Sequence, residues 1–222
     1  MRRVGGAVLL MAFALLAAPL SATAATLGVD ITTNGLAETN ATSFTLGWAV
    51  DVITPVRVTA LGVWDEGSNG LQQSHAVGLW TGSGTLLAST TVPAGSGADS
   101  AVPSALGAGQ WLFEDIPDVV LAVGHYVLGS VSTGDEFRAF QGGIVLDAAL
   151  ANFDSGKFAV GANLQFPNLD EADFGVVDDF SLFGPDFLLE PVTAPVPLPA
   201  SLALFGLGLL GFGARWAIRK LG

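Results

Sequence analysis

Few residues in this sequence have types and spacings that could do chemistry. Asp65-Glu66-Gly67-Ser68-Asn69-Gly70 opens like a calcium loop of the form D-x-[DN]-x-[DN]-G. Asp65 and Asn69 are the candidate metal ligands, and Gly70 would permit the bend. Gly67 supplies no side-chain oxygen, and Ala76 stands where a bidentate Glu would close the set. Calcium takes six to eight oxygens, so the loop offers part of a site at most. Its plainer reading is an acidic Gly/Asn turn. Calcium is the one cofactor the sequence admits; otherwise none is expected.

A second acidic group runs through Asp170, Glu171 and Asp173 to Asp178 and Asp179. Paired carboxylates can cleave a glycosidic bond when they flank the sugar. On a strand, however, neighbouring Asp178 and Asp179 would point to opposite faces, and a solvated surface or a cation site fits better. His75 and His125 stand at strand starts, with no H-x-x-x-H, H-E-x-x-H or G-x-S-x-G nearby. They read as hydrogen-bonded strand residues. Trp48, Trp64, Trp80 and Trp111 could form a sugar-stacking platform, but large aromatics in sandwiches mostly fill cores. No catalytic residue emerges, and the protein is not expected to be an enzyme.

Gly206, Gly208 and Gly211 spell G-x-G-x-x-G. The dinucleotide fingerprint needs a preceding strand and an acidic residue about 20 positions later. Here a proline-rich run precedes the glycines, and no Asp or Glu follows them. In an apolar helix the same glycines leave a smooth surface for close helix packing.

The elements that must position these residues are strands. The chain has 222 residues, half of them hydrophobic and 29 of them glycine, a composition that favours turn-rich β-structure over long soluble helices. Phe44–Val50, Val56–Trp64, His75–Trp80, Leu86–Val92 and His125–Val131 read as strands between Gly, Pro, Asn, Asp and Ser. Thr81–Thr85 reads as a hairpin turn, and Phe153–Val160 as another hairpin. Phe180–Leu189 reads as a final strand interrupted by Gly184-Pro185, hence at an edge or bulged. Gly143–Ala151 is the one short helix expected. The pattern predicts an all-β, two-sheet antiparallel sandwich, jelly-roll or immunoglobulin-like, over residues 25–190.

All 20 acidic residues lie in that body, against only Arg57, Arg138 and Lys157. Such a surface will not neutralise phosphates, so nucleic acid is excluded as a partner. The absence of cysteine excludes disulfides, thiolate catalysis and cysteine-held metals.

The two ends read as addresses. Residues 1–24 have a basic start at Arg2 and Arg3, an apolar stretch from Val8 to Ala18, and an A-x-A cleavage site at Ala22-Thr23-Ala24. This predicts a signal peptide and export through the Sec machinery. Residues 191–199 form a linker with Pro195, Pro197 and Pro199. Residues 200–222 then read as a membrane helix. Its uncharged part, Ala200–Ala214, spans about 22 Å at ~1.5 Å per residue, and a snorkelling Arg215 extends it toward the ~30 Å bilayer core. The basic cluster Arg215, Arg219 and Lys220 should stay cytoplasmic, leaving the body outside.

The combination Val196-Pro197-Leu198-Pro199-Ala200-Ser201, then a glycine-rich apolar run, then the basic cluster, resembles a PEP-CTERM sorting tail. Leu198 stands where that family usually has Glu. The resemblance implies an exported protein of a Gram-negative, polysaccharide-producing bacterium, processed by an exosortase. The body would face the periplasm while the tail is held transiently in the inner membrane, then reach the cell surface or exterior. The segment Thr59–Val92 resembles a class of uncharacterised exported bacterial β-sandwich domains, which brings no catalytic residues with it. Together these imply a non-enzymatic surface or matrix protein, associated with exopolysaccharide or biofilm. The alternative is a carbohydrate-binding, lectin-like module, with calcium as a helper and extracellular polysaccharide as partner.

Overall fold

Runs of Val, Trp, Phe and Thr separated by turn residues pair into antiparallel ladders throughout the described chain. A computed structural model describes residues 24–32, 36–39, 43–105, 107–140, 143–170 and 181–192. Among them there is no helix, and sixteen strands make four sheets.

The larger sheet contains β4 (Phe44–Val52), β6 (His75–Thr81), β7 (Leu86–Val92), β10 (Gly124–Ser132), β13 (Leu150–Val160) and β14 (Leu169–Asp170). Its order is β14-β13-β4-β10-β6-β7. The second contains β1 (Thr26–Leu27), β5 (Val56–Glu66), β8 (Ser100–Pro103), β9 (Gly109–Leu121) and β16 (Pro185–Pro191), in the order β1-β16-β5-β9-β8. Two small sheets complete the body. One joins β2 (Val29–Ile31) to β12 (Ile144–Leu146); the other joins β3 (Leu36–Thr39), β11 (Glu136–Phe140) and β15 (Ser181–Phe183).

The two large sheets bury one core between them. Trp48 of β4 packs on Phe187 of β16, with ring centroids 5.3 Å apart, and on Phe153 of β13 at 5.7 Å. Its indole N–H donates to the Pro185 carbonyl at 2.8 Å, tying one sheet to the other. Trp64 and Trp111, paired across β5 and β9, meet edge to face at 5.1 Å, the arrangement ring quadrupoles favour. Ala60 to Asp65 are buried at every position, so β5 is covered on both faces.

All five expected strands form, and the Thr81–Thr85 turn closes with Thr81 and Thr85 bonded through their backbones at 2.9 Å. Two expectations are corrected. Gly143–Ala151 is not a helix. Ile144 and Val145 pair with Ile31 and Asp30, and the Asp147 carboxylate accepts the Ala149 N–H at 2.8 Å, making a tight turn into β13. Phe153–Val160 is not a hairpin; it lies within β13, whose register against β4 shifts between Ala151 and Gly156. The break expected at Gly184-Pro185 is present, between β15 and β16. Pro185 opens β16, a first position that needs no ladder N–H, and β16 lies between β1 and β5 with a bulge at Leu188/Leu189.

Candidate functional site

The polar residues with most capacity for chemistry meet at one end of β6. His75 is buried there. Its Nδ1 lies 2.6 Å from the Val131 carbonyl and its Nε2 lies 2.8 Å from Asp135 Oδ2. A carbonyl only accepts, so Nδ1 carries a proton. The Asp135 carboxylate also accepts the backbone N–H groups of Gln72 at 2.7 Å and Gln73 at 2.9 Å. Ser130 and Ser132 stand beside this pair, and the space they share with His75, Asp135 and Gly184 is about 10 Å³. The residue types are those of a Ser-His-Asp triad, but the roles are not. A triad uses one imidazole nitrogen for the carboxylate and the other for the serine, and here the other nitrogen holds Val131. The space is about that of one water and admits no substrate. The node fastens the loop after Leu71 to the start of β11.

The loop from Asp65 to Gly70 lies next to it. Asp65 is buried, and both its oxygens accept the Gly70 N–H at 3.1 Å. Gln110 Nε2 donates to Oδ2 at 2.8 Å. Gly70 adopts φ +89° with its Cα side against the Gly95 backbone, a position that only glycine fills without strain. Asn69 is exposed. Asp65, Glu66, Asn69, Gln72 and Asp135 line a polar cavity of about 140 Å³. Asp65 thus organises the turn, and its oxygens already face N–H donors. Among the described residues no group of three His, Asp or Glu side chains is arranged to hold a metal.

His125 pairs with Asp51 at 2.9 Å on the surface, and Asn152 donates to the other Asp51 oxygen at 2.8 Å. The hydrogen bonds from Asn152 and His125 hold the Asp51 carboxyl below the usual carboxylate range. Asp170 pairs with Lys157. Glu171, Asp173, Asp178 and Asp179 lie outside the described residues, as do Ala22, the motif Val196–Ser201 and the cluster Arg215, Arg219 and Lys220. Ala24 is described and exposed. Trp48, Trp64, Trp80 and Trp111 are all buried, so they fill the interior, as expected, and form no sugar-stacking platform on the surface. Trp80 packs beneath Phe166, ring centroids 6.1 Å apart.

Sequence reasoning missed Asp135 and Asp186. Asp186 is fully buried; Oδ1 accepts the Val29 N–H at 3.2 Å, while Oδ2 has no hydrogen-bond partner. Burial pushes its carboxyl well above the ordinary range. Neither residue belongs to a linear motif, so no pattern could have flagged it.

An all-β body whose Asp65, His75 and Asp135 side chains are engaged in its own fold, followed by a proline-rich and apolar tail, defines a protein whose most specific signal is the tail. The family model of the PEP-CTERM protein-sorting motif matches residues 195–220. The match marks an exported protein with a membrane-anchored sorting signal, of the kind that exosortases process. No curated protein and no solved structure matches the chain. Among the described residues no helix is long and apolar enough to cross a membrane, and residues 200–222 lie outside them.

Proposed function

We propose that this is a non-enzymatic, exported protein whose β-sandwich is displayed at the cell surface or in the extracellular matrix, in association with exopolysaccharide or biofilm. A Sec signal peptide cleaved after Ala24 starts the route. The tail at 200–222 then holds the protein in the inner membrane with its body in the periplasm, until an exosortase-type protease reads Val196–Ser201. The observation that carries the reading is the sorting motif at 195–220. It is supported by the body: His75 has both ring nitrogens committed, and Trp48, Trp64, Trp80 and Trp111 are buried rather than on a working surface. Deleting residues 196–222 is expected to release a soluble, unprocessed body, measured by fractionation and intact mass. Unchanged membrane retention and processing would overturn the proposal.

The second reading is a carbohydrate-binding module assisted by calcium at Asp65 and Asn69. The polar cavity beside that loop favours it. Retention on a glycan array, or a thermal shift with calcium that Asp65→Asn abolishes, would establish it. Absence of both removes it.

A further inference from the structure

One pole of the sandwich is where the described chain both begins and ends. Ala24 and Val192 line the same cavity there, about 420 Å³ in volume, together with Thr54 and Pro55. Thr26 pairs with Leu189, and Pro191 with Val56. Gly124 pairs with Val52, which sets the turn after β4 beside the turn before β10. Large apolar side chains stand in solvent at this pole: Ile53 is 51% exposed, Val120 58%, Val123 65% and Val192 39%. The carboxylates around them each have a donor. Asp51 is bonded to His125 and Asn152, Asp118 and Glu190 face Arg57 at 3.5 and 3.9 Å, and Asp147 accepts from Thr26 and Ala149. Apolar tips ringed by four carboxylates and one permanent cation, Arg57, suit the headgroup boundary of a zwitterionic bilayer rather than an anionic one. They do not suit a polyanion.

The length of chain beyond Val192 decides the occupant. Residues 193–199 separate it from the apolar run that starts at Ala200. Fully extended, that linker reaches about 25 Å. A tether this short holds the pole at an effective concentration on the order of millimolar at the surface from which the tail emerges, so weak apolar contacts suffice. We propose that this pole rests on a zwitterionic lipid surface while the tail is in the membrane, with Ile53, Val120, Val123 and Val192 making the contact. The proposal rests on the membrane reading of residues 200–222.

The mature chain, residues 25–222, reconstituted into phosphatidylcholine vesicles tests both. Vesicle flotation reports whether the tail inserts. Because the chain has no cysteine, Val123→Cys and Ala162→Cys place single fluorophores on the lipid-facing pole and on the far one, where Val160 pairs with Phe44. With doxyl-labelled lipid, quenching is expected at position 123 and only background at 162. Adding Ile53→Asp, or raising the anionic lipid fraction, should reduce the quenching at 123. Flotation with equal quenching at both positions overturns the pole contact and leaves the anchor intact. Failure to float overturns the anchor and the proposal with it. Quenching at 123 that persists without doxyl lipid, arising between labels on neighbouring chains, would give the pole to a second copy and overturn the lipid contact.

Discussion

At the scale of single residues, buried polar groups decide this body's behaviour with pH. Asp186 is raised by burial, so its protonated form favours the folded state. That contribution is full below the ordinary carboxyl value of 3.8 and is lost as pH climbs through the raised folded value. Denaturant melts at pH 5 and pH 8 should show wild type losing stability at the higher pH, and Asp186→Asn should flatten that dependence. Asp135 acts differently. It satisfies two backbone N–H groups and His75, so Asp135→Ala leaves buried donors without a partner and should cost about 3 kcal/mol. A structural role predicts that loss in equilibrium unfolding with tail processing of the surviving folded protein unchanged. Asp65 and the two histidines were visible in the sequence as polar residues at strand ends. Their partners were not: Asp135 is 60 residues from His75, and Gln110 is 45 from Asp65. Only chain crossings bring such groups together.

At the scale of elements, the six-stranded sheet has a line of glycines across it. Gly129 of β10 faces Gly47 of β4 on one side and Gly78 of β6 on the other. The missing side chains leave room for what lies over them. The Trp80 ring lies back across Gly78, and Pro167 lies against Gly129. Gly78→Val should push the Trp80 ring off its seat against Phe166, destabilising the body by about 1–3 kcal/mol as overpacking does. Limited proteolysis should then cut within residues 161–168 faster than in wild type. The strands themselves were legible where β-branched and aromatic residues run together, as in β4, β5 and β6. Reading failed where local cues were ambiguous. Gly143–Ala151 has helix-forming alanines and leucines, yet Ile144 and Val145 find an open partner in β2, and long-range pairing overrides weak propensity. Within β13, Asp154 and Gly156 look like turn residues but absorb a register shift instead.

At the scale of the whole molecule, address and body are separable. β16 ends at Pro191, and the sorting match begins at residue 195. The 196–222 deletion that releases the body should therefore leave its melting temperature unchanged. A truncation that also removes β16 should unfold it, because β16 lies between β1 and β5 and supplies Phe187 to the core. The acidic body, with its few cations, should stay soluble once freed. The pole carrying Ala24 and Val192 is where the described body leads into the tail, so lipid contact should vanish when the tail, the tether that sustains it, is cut away.

The sequence by itself determined the tail, the β class and the absence of cysteine chemistry. Those depend on local runs of residue type and on composition, which need no fold to be read. Only the tertiary structure decided that His75 serves a carbonyl and a carboxylate, that Asp65 serves its own turn, that Trp48, Trp64, Trp80 and Trp111 are buried, and that four apolar side chains share one pole with Ala24. Each of these depends on residues far apart in sequence meeting across strands, and hydrogen-bond capacity and burial are fixed only when they meet.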